Sequence, residues 1–199
     1  MKVICLTGGL ASGKSTAARF LADHGAKVID ADKLGHRAYD PSTQAYREVI
    51  AAFGDDVVGE DGQIDRKVLG SKVFGKPEEL KRLTDIVWPE IRRMAEAEIR
   101  EAETASADSI VVLEAAVLFE AGWDDIGDEI WVATVDREVA IERAMARDGL
   151  PREAVESRLD SQLSNSERTA RADVVLDNSG TPEQLDAQLV VAWERAVES

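Results

Sequence analysis

The sequence is poor in the residues that staple or metallate a small fold. Cys5 is its one cysteine and His24 and His36 are its two histidines, so it has neither a disulfide framework nor a zinc-type cluster. Cys5 falls inside the first predicted strand and reads as a small buried side chain, which suits a reducing cytoplasm. No apolar run approaches the roughly 20 residues needed to cross a bilayer, and the first strand begins at once without a signal peptide. Cationic charge is also short: 24 Lys and Arg face 39 Asp and Glu, for a formal charge of -15. That balance argues against broad binding to nucleic acid or to an anionic membrane. A polyanionic ligand would have to be met by a local cationic pocket. There is no internal repeat or low-complexity tract, and 199 residues suit one domain with a sizeable insertion.

Against these absences stands one strong motif. The apolar run Val3-Ile4-Cys5-Leu6-Thr7 leads into Gly8-Gly9-Leu10-Ala11-Ser12-Gly13-Lys14-Ser15-Thr16, a full match to G-x-x-x-x-G-K-[ST]. Glycines at both ends of such a loop let successive N–H groups turn inward, where they join the positive end of the following helix to hold phosphate. Lys14 would reach the β- and γ-phosphates of a nucleotide, and the Ser15 hydroxyl would ligate Mg²⁺. The stretch after the loop, Lys14 to Ala22, predicts a helix that offers Ala17, Phe20 and Leu21 for burial and ends near Gly25.

Strand-like runs recur at Val3 to Leu6, Lys27 to Ile29, Ile110 to Leu113, Ile130 to Val135 and Val174 to Leu176, with helical stretches between them. That is the pattern of an α/β fold with a five-stranded parallel sheet flanked by helices. The unbroken apolar run Ile110-Val111-Val112-Leu113 fits a strand buried on both faces. A long helical insertion from about 33 to 107 separates the second strand from the third and is expected to bind substrate. Within it, Leu80, Leu83, Val87, Ile91, Met94 and Ile99 share a helical face, and core packing is their expected role.

Several polar residues are placed for chemistry. The second strand ends in Ile29-Asp30-Ala31-Asp32, at the carboxyl edge where open α/β sheets bind ligands. An aspartate there can take a proton from an acceptor hydroxyl, and Asp32 can equally cap a helix starting near Lys33. Glu114 closes the third strand, where P-loop enzymes hold the Mg²⁺ shell; Glu120 is given only a structural pairing. Arg143 and Arg147 lie one helical turn apart and suit a transferring phosphoryl group, or else pair on a helix surface with Glu142 and Asp148. With Arg152, Arg158, Arg168 and Arg171 they fall in a stretch, about 137 to 171, that reads as a mobile lid. Arg66, Lys67 and Arg82 are candidate diphosphate contacts, against the alternative of plain surface charge.

Taken together, these segments resemble the dephospho-CoA kinase family, which phosphorylates the ribose 3′-hydroxyl of dephospho-CoA with ATP in the last step of coenzyme A synthesis. The likeness spans nearly the whole chain. It rests on the phosphate loop, Val28-Ile29-Asp30-Ala31-Asp32, Phe53-Gly54, Val73-Phe74, Trp88-Pro89, Val117-Leu118-Phe119-Glu120, Arg143, Arg147-Asp148, Arg158-Leu159 with Gln162, Ala172-Asp173 and Asp177-Asn178. Leu34 to Tyr39 and Glu120 to Trp123 look most like the kinase half of the bifunctional animal CoA synthase; no adenylyltransferase half is expected here, and a separate one is an expected functional link.

The resemblance implies a P-loop kinase domain over 1–199. Asp32 is then the catalytic base, aided by Lys14 and by Arg143 from the lid. ATP is held by Gly8, Gly9, Ala11, Ser12, Gly13, Lys14, Ser15, Thr16, Arg143, Arg147 and Asn178, the last beside adenine. Dephospho-CoA is met by Asp32, His36 and Arg66, and Mg²⁺ by Ser15 with Glu114, directly or through water. The expected setting is the cytoplasm. Many bacterial members instead carry Asp at 114, Pro at 116, His at 88 and Gln at 140, where this chain has Glu114, Ala116, Trp88 and Ala140. Glu114 keeps the charge but projects one carbon further.

Overall fold

The computed structural model describes residues 1–198, and the chain divides into two compact units, Met1–Asp30 with Ile99–Ser199, and Ala31–Glu98. The first unit is built on five parallel strands: β1 (Lys2–Gly8), β2 (Lys27–Asp30), β3 (Ile110–Glu114), β4 (Glu129–Thr134) and β5 (Val174–Asp177). Their order is β2-β3-β1-β4-β5. Each expected strand is present, with ends that move by one or two residues.

β1 lies at the centre because it is buried on both faces; every residue from Val3 to Thr7 is in the core. Its two neighbours are β3 and β4, so the chain runs outward to either side of it, and the crevice beyond its carboxyl end is a topological switch point. Helix α1 (Lys14–Asp23) follows directly and buries Ala17, Ala18 and Leu21. Helix α9 (Pro182–Glu198) buries Leu185, Leu189, Ala192 and Ala196, the spacing of one helical stripe. Both pack with Ile4, Leu6, Val112, Trp131 and Leu176 of the sheet in one cluster. Trp131 is fully buried, and its indole N–H donates to Glu129 Oε2 at 2.9 Å, so its single polar atom is satisfied.

After β4 come α6 (Arg137–Asp148), α7 (Arg152–Asp160) and the short α8 (Asn165–Thr169). Gly149 ends α6 in the left-handed conformation, and Pro151 sits at the start of α7. A second apolar cluster joins Ile141, Ala144 and Val155 of these helices.

The other unit is helical. It contains α2 (Ala31–Arg37), α3 (Gln44–Phe53), a 3-10 turn (Asp55–Val57), α4 (Arg66–Val73) and most of α5 (Pro77–Ala105). Thr43 caps α3 by accepting from the Tyr46 N–H at 3.1 Å, and Asp65 caps α4 by accepting from Lys67 and Val68 at 2.9 and 3.0 Å. Along α5, Leu83, Val87, Ile91 and Ile99 are buried as their spacing requires. Leu80 departs from that stripe: it lies in the first turn and is 51% exposed, while Met94 is only half-buried. Among the described residues no helix is long and apolar enough to cross a membrane.

Candidate active site

The loop between β1 and α1 is shaped by close approach. Gly8 lies so near β4 that a Cβ would stand 2.4 Å from the Ala133 carbonyl oxygen and 2.5 Å from Ser12 Oγ. Gly13, at the N-cap of α1, has φ +92°, and a Cβ there would stand 2.2 Å from Asn178 Nδ2. Between them Ala11 takes φ 56°, a left-handed conformation that costs a non-glycine residue about 1–2 kcal/mol. The phosphate loop is thus a strained turn held by its surroundings, as functional turns often are.

A pocket of about 470 Å³ opens over this loop, lined by Ala11 to Thr16 together with Arg143, Arg147 and Asn178, and beyond them by Pro182, Leu185 and Asp186. Gly8 and Gly9 form the base of the loop and do not line it. The opening turn of α1 has N–H groups with no carbonyl earlier in the helix to accept them, so the pocket floor attracts anions. A larger groove, about 800 Å³, lies among Lys2, His24, Asp108, Asp128 and Trp193 at the amino ends of the strands, away from the phosphate loop.

At the carboxyl edge of the sheet, Glu114 pairs in register with Leu6 of β1 and with Asp30 of β2. The Ser15 hydroxyl donates to Glu114 Oε1 at 2.9 Å. A hydroxyl and a carboxylate so converged, beside a phosphate cradle, are the hard oxygen donors that fit Mg²⁺, which keeps most of its shell as water and phosphate oxygen. No group of three or more His, Cys, Asp or Glu is arranged for a metal among the described residues. The fit is therefore to a nucleotide-bound ion rather than to a cation caged by protein alone.

The two α6 arginines share a face but not a state. Arg143 donates from Nη1 to the Asn178 carbonyl at 2.8 Å, which links α6 to the segment after β5. Arg147 makes a bidentate pair with Asp148 at 2.7 and 2.9 Å, and this pairing holds the Asp148 carboxyl below its usual range. Asn178 is fastened on three sides: its N–H donates to Thr134 O, its Nδ2 to Ser12 O, and its carbonyl accepts from Arg143.

Arg168 does not belong with the lid arginines. It is 1% exposed, donates to Glu120 Oε1 at 3.1 Å and to the Leu163 carbonyl at 3.3 Å, and lies 3.5 Å from Thr7 Oγ1 and from the Ala116 carbonyl. It anchors α8 to the end of β1. Arg171 likewise lies over the Phe119 ring at 4.1 Å and pairs with Asp124. Sequence spacing could not reveal these partners, which apart from Leu163 lie some 50 to 160 residues away from the two arginines.

In the helical unit, α2 starts at Ala31 rather than near Lys33, so Asp32 lies inside its first turn and is not the N-cap. A carboxylate in that turn is favoured by the helix dipole. His36 follows one turn later, and Arg66 Nη1 lies 2.8 Å from its Nε2 and 2.9 Å from its Nδ1. Arg66 also lies over the Tyr39 ring at 5.7 Å. Burial raises the Tyr39 phenol above its ordinary pKa, and the nearby guanidinium offsets part of that rise. Of the other two basic candidates, Arg82 covers the Phe53 ring at 5.5 Å, and Lys67 contributes its N–H to the Asp65 cap.

Comparison of the sequence with known proteins singles out one family. The dephospho-CoA kinase family model matches residues 2–184. A curated dephospho-CoA kinase from Geobacter sulfurreducens is 47% identical over 195 residues, covering 98% of each chain. Among solved structures, TT1252 from Thermus thermophilus aligns with a TM-score of 0.81 at 36% identity, over 98% of this chain and 97% of that one. A dephospho-CoA kinase from Campylobacter jejuni aligns with a TM-score of 0.75 at 27% identity, over 98% and 97%. With its parallel sheet, phosphate loop and near end-to-end match, the chain belongs to the dephospho-CoA kinase family.

Proposed function

We propose that the protein transfers the γ-phosphate of ATP to the ribose 3′-hydroxyl of dephospho-CoA, giving coenzyme A, with Asp32 as the base. The observation that carries this reading is the 2.9 Å contact from Ser15 to Glu114 at the mouth of the phosphate loop, in a chain matched to the family over residues 2–184. The loop N–H groups and Lys14 grip the phosphates, and Ser15 and Glu114 would hold Mg²⁺, whose charge offsets that building on the transferring group. Asn178, with Pro182 and Leu185, receives the base, and Arg143 neutralises charge on the phosphoryl group. Of residues 137–171, those before the anchored α8 act as the lid.

The helical unit, corresponding to the insertion at about 33–107, binds the acceptor, with His36 and Arg66 at its diphosphate. Asp32 takes the proton of the 3′-hydroxyl, a role worth about 10²–10⁴-fold in rate. The lone buried cysteine supports a cytoplasmic setting, and a functional link to an adenylyltransferase that supplies the acceptor belongs to the same reading. The test is ADP release with Mg·ATP and dephospho-CoA beside adenosine, AMP and shikimate, with phosphorus NMR of the product. A new 3′-phosphate on coenzyme A, lost in Asp32→Asn while ATP affinity is largely kept, is the expected result. Phosphorylation of another acceptor, or near-normal turnover by Asp32→Asn, would overturn it.

A further inference from the structure

The Leu10 N–H of the phosphate loop donates outside the loop, to Gln162 Oε1 at 2.9 Å, across 152 residues of sequence. Gln162 lies just beyond the end of α7, where its own N–H is tied to the Leu159 carbonyl at 3.2 Å. The Leu10 and Ala11 side chains pack on the same side, against the Ile141, Ala144 and Val155 cluster with Leu150 and Leu159. Gln162 Oε1 also borders Gly9, lying 3.6 Å from where a Cβ there would stand. A cleft of about 190 Å³ lined by Gly9, Leu10, Leu159 and Gln162 marks this side of the loop, apart from the pocket over residues 11–16.

We propose that Gln162 is a positioning residue for phosphoryl transfer. It fixes the Gly9–Leu10 peptide so that the strained Ala11 turn stays set and the donors of residues 11–16 face the phosphates. The same bond ties the loop to the segment after α7, while Leu10 and Ala11 pack on Ile141 and Ala144 of α6, the helix that carries Arg143. The chemistry explains the residue type. The oxygen must accept a backbone N–H, yet a carboxylate here, with no metal ion between it and the phosphates as proposed at Glu114, would repel the anion the loop binds. A neutral amide supplies the first without the second. Glutamine also spans the distance that asparagine, one carbon shorter, would leave open.

The test rests on the kinase reading only for its turnover arm; exchange and ADP binding are read independently of the acceptor. Gln162→Met keeps the chain volume without the acceptor, Gln162→Glu keeps the acceptor and adds charge, and Gln162→Asn is too short. Hydrogen exchange over residues 7–14, Mg·ADP affinity by calorimetry, and kcat and KM with dephospho-CoA are measured for each. Met and Asn should speed exchange at Leu10 and lower kcat by about five- to tenfold, the worth of one such bond, with acceptor KM nearly unchanged. Glu should keep slow exchange at Leu10 but weaken Mg·ADP binding. Unchanged Leu10 exchange in Gln162→Met would overturn the proposal. So would faster exchange with kcat and Mg·ADP affinity both intact. If dephospho-CoA proves not to be the acceptor, altered exchange with altered Mg·ADP affinity still supports the role of Gln162.

Discussion

Replacing Gly13 with alanine separates two costs that the phosphate loop normally avoids together. The first is conformational: at φ +92° a Cβ meets its own backbone, a penalty of about 1–2 kcal/mol. The second is external, because the new methyl would stand 2.2 Å from Asn178 Nδ2, and no pair of heavy atoms tolerates that. Asn178 must swing away and give up its 3.1 Å bond to the Ser12 carbonyl, a further loss of about 1 kcal/mol. Gly13→Ala should therefore lose about 2–3 kcal/mol, or roughly 4–12 °C in Tm for a chain of this size. Asn178→Ala alone loses only the bond, about 1 kcal/mol. In the double variant the clash has nothing to act on, so its loss should match Gly13→Ala rather than the sum of the singles. Denaturant unfolding of the four proteins gives the coupling directly, expected near 1 kcal/mol. Strict additivity would show that Asn178 does not press on the loop at Gly13 and would refute the argument.

Three further outcomes follow from two buried groups. Burial in the central strand pushes the Cys5 thiol from its ordinary 9.0 up to about 12, which keeps it neutral and unreactive in the fold. Native protein should resist a thiol reagent at pH 8 and label only on unfolding; rapid native labelling would contradict the placement. Because the folded pKa is raised, the stability Cys5 contributes is complete below about pH 9 and is lost as pH climbs toward 12, by about 4 kcal/mol in all. Unfolding at pH 7 and pH 10.5, with Cys5→Ser as the reference, should show about half of that loss, about 2 kcal/mol, and its absence would deny it. Removing the partner of the buried Arg168 with Glu120→Ala should cost up to about 3 kcal/mol, reduced by the 29% exposure of the glutamate side chain. An unchanged Tm would mean that water or another acceptor satisfies the guanidinium.

The parts legible in the sequence were those whose signal is local. β3 announced itself by an apolar run because both its faces are covered, and the phosphate loop by glycines that its close approach to Ala133 and Asn178 requires. Leu80 broke its helical stripe because a first-turn position is not obliged to face the core, and Asp32 entered α2 because helical hydrogen bonding begins directly after β2. Arg168 looked like any other lid arginine. Only the return of the chain to Thr7 and Ala116 makes it a buried anchor, and the bond from Leu10 to Gln162 is hidden for the same reason. Contacts formed across more than a hundred residues leave no periodicity to read.

The order of the strands also bears on how a bound nucleotide would come off. The phosphates would rest on the loop carried by β1, which is laced to a neighbour along each side, whereas the proposed contact to the base, Asn178, follows β5, a four-residue edge strand with one neighbour. Local opening costs least where a segment has few packed neighbours, and an edge strand has one fewer than a central strand. Fraying of β5 would loosen the grip on the base once the three bonds that fasten Asn178 are given up, so departure would begin as a peeling from the rim of the sheet.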